Sequence, residues 1–497
     1  MSDKPRIVLI YPEIGGPFVN LRKKRPMPLG LLNASVYLVD DYEIKIFDQA
    51  MHSNWKGSLK NIVNSNTLIV GIHAMAGSQL LHAQEVSEFI KSICNVPIIW
   101  GGVHPSLIPE TVLKEPFIDY VCVGEGEKTF PDMVKTIQFK KDMSSVKGIY
   151  YRENNKNIFT GERETVDLND LPELPYHLLK VSDYNVSGGT RFDKNELKLT
   201  METSRGCVND CIFCYNPVFN KRKWRAQDAN RVIQRIEYLV KKYHATYLDF
   251  IDDAFFTDLA RVEKIAKLLI AKKINIKWFL QGVDIHKLVQ VDDAYLNLLD
   301  KAGCRVMRMG AESGSAKLLD QMHKKSSIDE VIKVNKRLRN TNIVCYYYFT
   351  IGMPKETESD LKKTVDLMLT LLADNPQARI MSAFCLTPQP GTRLLKEAQK
   401  EGFSLPKTVK DWAKIDGTTI ITPWFDDQMK KKLDNLFFTS LFIDQKNQDI
   451  IDSALIRFLC VLYRPLALYR IKRLNFKFPV EYAMFKLLKK NLLKSKS

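Results

Sequence analysis

The sequence predicts an α/β protein: a doubly wound parallel sheet at the N-terminus, then a partial (β/α)6 barrel and a helical C-terminal region. Three observations carry this reading. Short apolar strands alternate with amphipathic helical stretches from Arg6 to about Lys140; prolines interrupt the pattern at Leu171-Pro172-Glu173-Leu174-Pro175; and the alternation resumes from Leu197 to about Lys400. The units expected are residues 1–140, a connector over 141–196, a barrel over 197–400 and a helical basic region over 401–497.

In the first unit, strands are expected at Arg6 to Tyr11, Glu43 to Phe47, Thr67 to Ile72, Val96 to Trp100 and Tyr120 to Val123, with helices at Leu29 to Val39, Leu80 to Ser92 and Thr129 to Ile137. A parallel sheet of this kind binds ligands past the carboxyl ends of its strands. The loops there are rich in small residues: Ala74-Met75-Ala76-Gly77-Ser78, Gly101-Gly102-Val103-His104 and Gly124-Glu125-Gly126-Glu127. By spacing alone these are either tight turns or places where a bulky ligand nears the backbone. The G-x-x-x-x-G-K-[ST] spacing is absent, which argues against a P-loop nucleotide hydrolase.

In the second unit, strands are expected at Leu197 to Thr203, Tyr247 to Ile251, Ile276 to Gln281, Arg305 to Gly310, Val344 to Ile351 and Ile380 to Leu386, with helices such as Ala229 to Tyr243, Leu259 to Lys272, Ile328 to Arg339 and Glu358 to Leu372. Six strands rather than eight suggest a partial barrel, whose active site lies at the strands' C-terminal ends. At those ends stand Asp252-Asp253, Glu312-Ser313-Gly314-Ser315, Gly352-Met353-Pro354-Lys355-Glu356-Thr357 and Pro388-Gln389-Pro390-Gly391-Thr392, each also compatible with a turn or helix cap.

The first barrel strand leads into Cys207-Val208-Asn209-Asp210-Cys211-Ile212-Phe213-Cys214. Thiolates spaced C-x-x-x-C-x-x-C can wrap one corner of an iron–sulfur cubane and leave a fourth iron open. A zinc site would need a second ligand pair, and Cys304, the next cysteine, stands alone about ninety residues on. The remaining six of the nine cysteines are scattered, as expected for packing residues in a reducing cytosol rather than a disulfide framework.

With 45% hydrophobic and 26% charged residues over 497 positions, a folded multidomain protein is expected. The N-terminus has no signal-peptide pattern, and no apolar run reaches the length of a membrane span. The net charge of +17 is concentrated at the C-terminus, where Phe458, Leu459, Leu462, Leu466, Leu468, Ile471, Leu474, Phe476, Phe478, Phe485, Leu487 and Leu488 interleave with lysines and arginines. Such a segment suits an anionic membrane surface, or a terminal helix pair with its lysines in water. A nucleic-acid partner is not expected, since no recognised binding motif is present.

Thr203-Ser204-Arg205-Gly206-Cys207, running into Cys211 and Phe213-Cys214, resembles the cluster loop of radical S-adenosylmethionine enzymes. The resemblance implies a [4Fe-4S] cluster held by Cys207, Cys211 and Cys214, whose open iron binds S-adenosylmethionine for reductive cleavage with electrons from an external one-electron donor. Pro28-Leu29-Gly30, Gly101-Gly102-Val103-His104-Pro105 and Gly124-Glu125-Gly126-Glu127 resemble the cobalamin-binding domain that precedes the radical domain in one large class of these enzymes. That resemblance places the cobalamin tail along Gly77, Ser78, Gly101, Gly102 and Gly124. Because His73, His82 and His104 all lack a D-x-H-x-x-G context, it implies a cobalt without a protein histidine. In the barrel it implies S-adenosylmethionine contacts from Phe213, Asp253, Glu312 and Ser313, although no Gly-Gly-Glu triplet follows the second strand.

The function implied is C-methylation of an unactivated carbon, on a lipid or isoprenoid-like small molecule as in the hopanoid methylases. The alternatives are radical-mediated cyclisation or ring rearrangement, as in the anaerobic bacteriochlorophyll cyclase, and, from another class, a membrane or nucleic-acid tether with a structural cluster. The location expected is cytoplasmic, with peripheral contact at the membrane.

Overall fold

The computed structural model describes residues 4–15, 26–184, 196–415, 422–444, 454–477 and 481. Strands β1 (Arg6–Tyr11), β2 (Glu43–Asp48), β3 (Thr67–His73), β4 (Ile98–Gly101) and β5 (Tyr120–Cys122) pair in parallel in the order β2-β1-β3-β4-β5. The apolar run of β1 is buried on both faces: Val8 and Ile10 enter one core, Ile7 and Leu9 the other. Helices α1 (Gln79–Ile93) and α2 (Gly126–Gln138) contribute to these two cores, and the strand order reverses beside β1, opening a crevice at the strand ends.

This sheet extends into the range expected to be a connector. Strand β6 (Ile149–Glu153) pairs antiparallel with β5, and β7 (Lys156–Phe159) antiparallel with β6, the two joined by Asn154 and Asn155 at φ 49° and 60°. Two left-handed residues between strands match the right-handed twist of a hairpin, and asparagine tolerates them.

The second sheet is parallel throughout. Its strands β8 (Lys198–Met201), β11 (Tyr247–Phe250), β12 (Lys277–Val283), β13 (Cys304–Glu312), β14 (Val344–Ile351) and β15 (Ala378–Cys385) pair in chain order, while β9 (Ser204–Arg205) and β10 (Arg225–Ala226) form a short separate ribbon. Leu199, Met201, Leu248, Phe250, Trp278, Leu280, Met307 and Met309 point into the helix layer. The opposite face is mixed: Tyr247, Phe279, Val306, Tyr346 and Met381 form an apolar cluster, while Gln281 donates to Asp249 at 3.1 Å, with Arg308 at 3.7 Å and Lys198 at 3.9 Å from the same carboxylate. Helix α3 (Glu358–Asp374) starts in a capping box between Thr357 and Asp360.

After the barrel the chain returns to the first unit, where Leu395, Ala398, Phe403, Val409 and Trp412 join the core that contains α1. Helices α4 (Asp427–Ser440) and α5 (Ala454–Lys472) then pack near β15 and α3. Among the described residues no helix is long and apolar enough to cross a membrane. Of the cysteines expected to pack, Cys122, Cys304, Cys345, Cys385 and Cys460 are buried and Cys94 partly so.

Candidate active site

The three-cysteine loop leaves the C-terminal end of β8 and is anchored by both acids that follow β11. Asp252, buried, accepts hydrogen bonds from Thr203 N at 3.2 Å, Thr203 Oγ1 at 2.6 Å and Ser204 Oγ at 2.6 Å. Asp253 accepts from Gly206 N at 3.0 Å and from the Tyr215 hydroxyl at 3.4 Å. Gly206, at φ 84°, has to be glycine, because a Cβ there would lie 2.0 Å from the Lys223 carbonyl oxygen.

Burial pushes all three thiols up, Cys214 to about 12, while N–H groups of Asn209 and Asn216 directed at the sulfurs of Cys207 and Cys214 pull the other way. A metal must therefore displace protons to bind here. Among the described residues no three metal-ligating side chains form a compact single-ion site. The donor set still suits a cubane, which takes one thiolate on each of three irons and so a wider triangle than one ion would. Phe213 packs with Ile212, Leu318 and Met322 behind the loop.

Glu312, at the end of β13 with φ 61°, accepts from Lys324 Nζ at 3.2 Å and Thr350 Oγ1 at 2.9 Å. Burial favours the neutral Lys324 amine, but Glu312 and the surrounding acidic groups outweigh it and hold the ammonium charged beside Cys211. Ser313 lies deeper: it is fully buried, shares a hydrogen bond with Thr364 Oγ1 at 3.1 Å and accepts from Ser315 N at 3.1 Å.

A cavity of about 320 Å³ joins the two units. Gly30, His73, Gly101, Gly102 and Gly124 line it from the first sheet, and Glu202, Arg205, Tyr215 and Asp253 from the cluster side. Gly77 and Ser78 do not line it; Ser78 sits against Gly15 just before α1. A Cβ on Gly124 would meet nothing within 4 Å, and one on Gly101 only Cys122 Cβ at 3.7 Å, so these glycines leave open the volume that a large planar cofactor needs. Gly102, at φ 114°, serves the backbone instead, since its Cβ would come 2.8 Å from the Ala74 carbonyl oxygen. His73 is neutral: burial lowers it to about 4, and its Nδ1 lies 3.3 Å from the side-chain Oε1 of Gln79.

The wall between the two halves is ionic. Arg205 donates to Glu202 at 2.6 Å and to Glu127 at 2.6 Å and pairs with Glu125 at 3.2 Å, while Arg225 also binds Glu125. Arg205 thus ties the Gly-Glu-Gly-Glu loop to the residues leading into Cys207. In the sequence this arginine stands out only as part of the motif leading into Cys207, because its Glu127 partner is 78 residues away. Tyr215 and Lys324 went unnoticed, as neither sits in a local pattern of its own.

Comparison with known proteins agrees with this geometry. The Radical SAM superfamily model matches residues 201–368, and the B12 binding domain model residues 19–134. An uncharacterized methyltransferase of Pyrococcus horikoshii is 26% identical over 432 residues, covering 86% of this chain and 90% of that one. The anaerobic magnesium-protoporphyrin IX monomethyl ester cyclase of Synechocystis is 23% identical over 421 residues, covering 83% and 81%. The fold is that of the cobalamin-dependent radical enzyme OxsB (TM-score 0.72, 18% identity, 95% of this chain and 72% of that one). It is also that of the radical methyltransferase TsrM of Kitasatospora setae (TM-score 0.65, 15% identity, 91% and 90%). With a B12-binding domain and a radical domain on the fold these enzymes share, the chain belongs to the cobalamin-dependent radical S-adenosylmethionine enzymes, whose cofactors are a [4Fe-4S] cluster, S-adenosylmethionine and cobalamin.

Proposed function

We propose that the chain is a methyltransferase acting on an unactivated carbon of a lipid or isoprenoid-like small molecule, with electrons from an external donor. The observation that carries this is the single cavity lined both by Gly101, Gly102 and Gly124 and by Tyr215 and Asp253, because methyl transfer between two cofactor sites needs one shared, water-poor space. When bound, the cofactors supply methyl-transfer and one-electron chemistry. The protein's share is to hold and to orient. In this reading Cys207, Cys211 and Cys214 hold the cluster, Phe213 backs their loop, and Asp253 and Glu312 contact S-adenosylmethionine. Gly101 and Gly124 leave room for the corrin, Gly102 holds the loop backbone beside it, and the tail extends toward Gly77 and Ser78. Ser313 supports Glu312 from behind, as its buried bonds to Thr364 and Ser315 suggest.

Radical cyclisation is the second reading, favoured by the similarity to the magnesium-protoporphyrin cyclases. The location proposed is the cytoplasm, with the basic C-terminal region meeting a membrane surface. Protein purified without oxygen from cobalamin-fed cells should contain about four irons and one cobalt per chain, the content of one cubane and one corrin. Product mass then separates the readings, since methylation adds one CH2 and cyclisation adds none. Cys211→Ala should abolish reductive cleavage of S-adenosylmethionine; if it does not, the cluster is structural and the tether alternative stands.

A further inference from the structure

The exposed face of α5 reverses the usual pattern of a surface helix. Phe458, Leu462, Leu466 and Tyr469 recur at helical spacing, are 58%, 61%, 47% and 52% exposed, and are flanked by exposed Leu459 and Val461. The opposite face, with Cys460, Ala467 and Ile471, is buried, so the helix is docked and the apolar stripe is its outward side. An outward helix face without a charge for three turns is costly in water unless something covers it.

What covers it is indicated by the surface at the end of the stripe. The Arg473 guanidinium stacks on Tyr469, 4.2 Å from the ring centroid. It also lines a groove of about 950 Å³ between α3, α4 and the residues after α5, which carries Lys362, Lys431, Lys432, Lys472, Arg473 and Lys477 against the single acid Glu358. Lys362 is paired with Asp366 and Lys432 with Glu358. Lys431, Lys472, Arg473 and Lys477 have no carboxylate partner among the described residues. An apolar stripe that runs into a groove of unneutralised cations matches acyl chains beside anionic phosphates. A second copy of the chain fits less well, because it would bring more cations to a protein whose net charge is already +17.

We propose that α5 lies in the headgroup region of an anionic phospholipid membrane, with Phe458, Leu462, Leu466 and Tyr469 in the acyl boundary and a lipid phosphate in the groove of Lys431, Lys472, Arg473 and Lys477. This rests on the peripheral-contact reading above and locates the contact on α5 and the groove. The other apolar residues of the tail named from the sequence divide: Ile471 and Leu474 are buried, Leu468 and Phe476 pack partly against the core, and Phe478, Phe485, Leu487 and Leu488 lie outside the described residues.

Flotation of the full-length, cofactor-loaded protein tests it, with vesicles of phosphatidylcholine alone or of phosphatidylcholine with phosphatidylglycerol. The wild type should float with the phosphatidylglycerol vesicles only and be released by salt but not by millimolar inorganic phosphate. The exposed-residue variants Leu462→Ser/Leu466→Ser and Lys472→Glu/Arg473→Glu should each lower the bound fraction by about tenfold or more, given what each apolar side chain and each cation contributes at an anionic surface. Equal binding to both vesicle types, release by inorganic phosphate, or variants that float like the wild type would overturn it. So would a concentration-dependent dimer that Leu462→Ser/Leu466→Ser dissolves. Vesicle binding without any methylated product would instead count against the methyltransferase reading alone, and methylation of a water-soluble compound without vesicle binding against this proposal alone.

Discussion

Glu356, in the loop after β14, accepts the N–H groups of Gly352 and Met353 on one carboxylate oxygen, while its other oxygen is buried without a partner. Burial outweighs those two donors and raises the group to about 8. The folded protein therefore keeps a proton that the unfolded chain gives up in the ordinary carboxylate range, and this contribution to stability is lost as pH rises toward 8. Glu356→Gln keeps an acceptor for both N–H groups and has nothing to titrate. Its thermal midpoint should gain on that of the wild type as pH rises from about 5 to about 8 and gain no further above that, and thermal unfolding followed from pH 5 to pH 9 checks the window. In the sequence Glu356 read as part of a turn before a helix cap. Thr357 does cap α3, but the burial of Glu356 comes from chain folded over it and leaves no local mark.

Between elements, the Arg205 cluster is the main link from the first sheet to the cysteine loop. Replacing Arg205 by Met would leave the buried Glu127 carboxylate and partly buried Glu125 and Glu202 facing one another. That should cost about 3–5 kcal/mol, the usual penalty for orphaning one side of a buried ion pair. The exposed Lys221–Glu162 pair is equally short at 2.6 Å, yet Glu162→Gln should leave the denaturation midpoint unchanged, because water already solvates both ends. Chemical denaturation of the two variants side by side checks the contrast. Most elements of both sheets were legible, since period-2 and period-3.6 patterns are local. The hairpin β6–β7 is not legible although Asn154-Asn155 is a turn signal for it, because β7, an exposed edge without a buried residue, adds no apolar alternation of its own.

At the scale of the molecule, the segment after the barrel fastens the first unit to the rest. Trp412, 3% exposed, meets His104 edge-on at 5.7 Å between ring centroids and belongs to the same core as Val8 and Ile10. Burial keeps the His104 imidazole neutral by lowering it to about 4. Trp412→Ala should cost about 3–5 kcal/mol through lost burial and the cavity left behind. Because that cavity would lie against the first sheet, limited proteolysis should then release an N-terminal fragment from the variant sooner than from the wild type. No pattern in residues 393–415 says which sheet they will cover, since an amphipathic stretch specifies that it must bury a face and not against what.

The sequence by itself determined the parallel strands of the two sheets, the order of the units and the three-cysteine loop, because strand and helix periodicity and thiol spacing are properties of neighbouring residues. Only the tertiary structure decided that Arg205 meets Glu127, that Gly101, Gly102 and Gly124 border the cavity while Gly77 and Ser78 do not, and that Ser313 is fully buried. It also decided which side of α5 faces outward. Each of these depends on how separate elements pack, and packing pairs residues that one-dimensional spacing cannot relate.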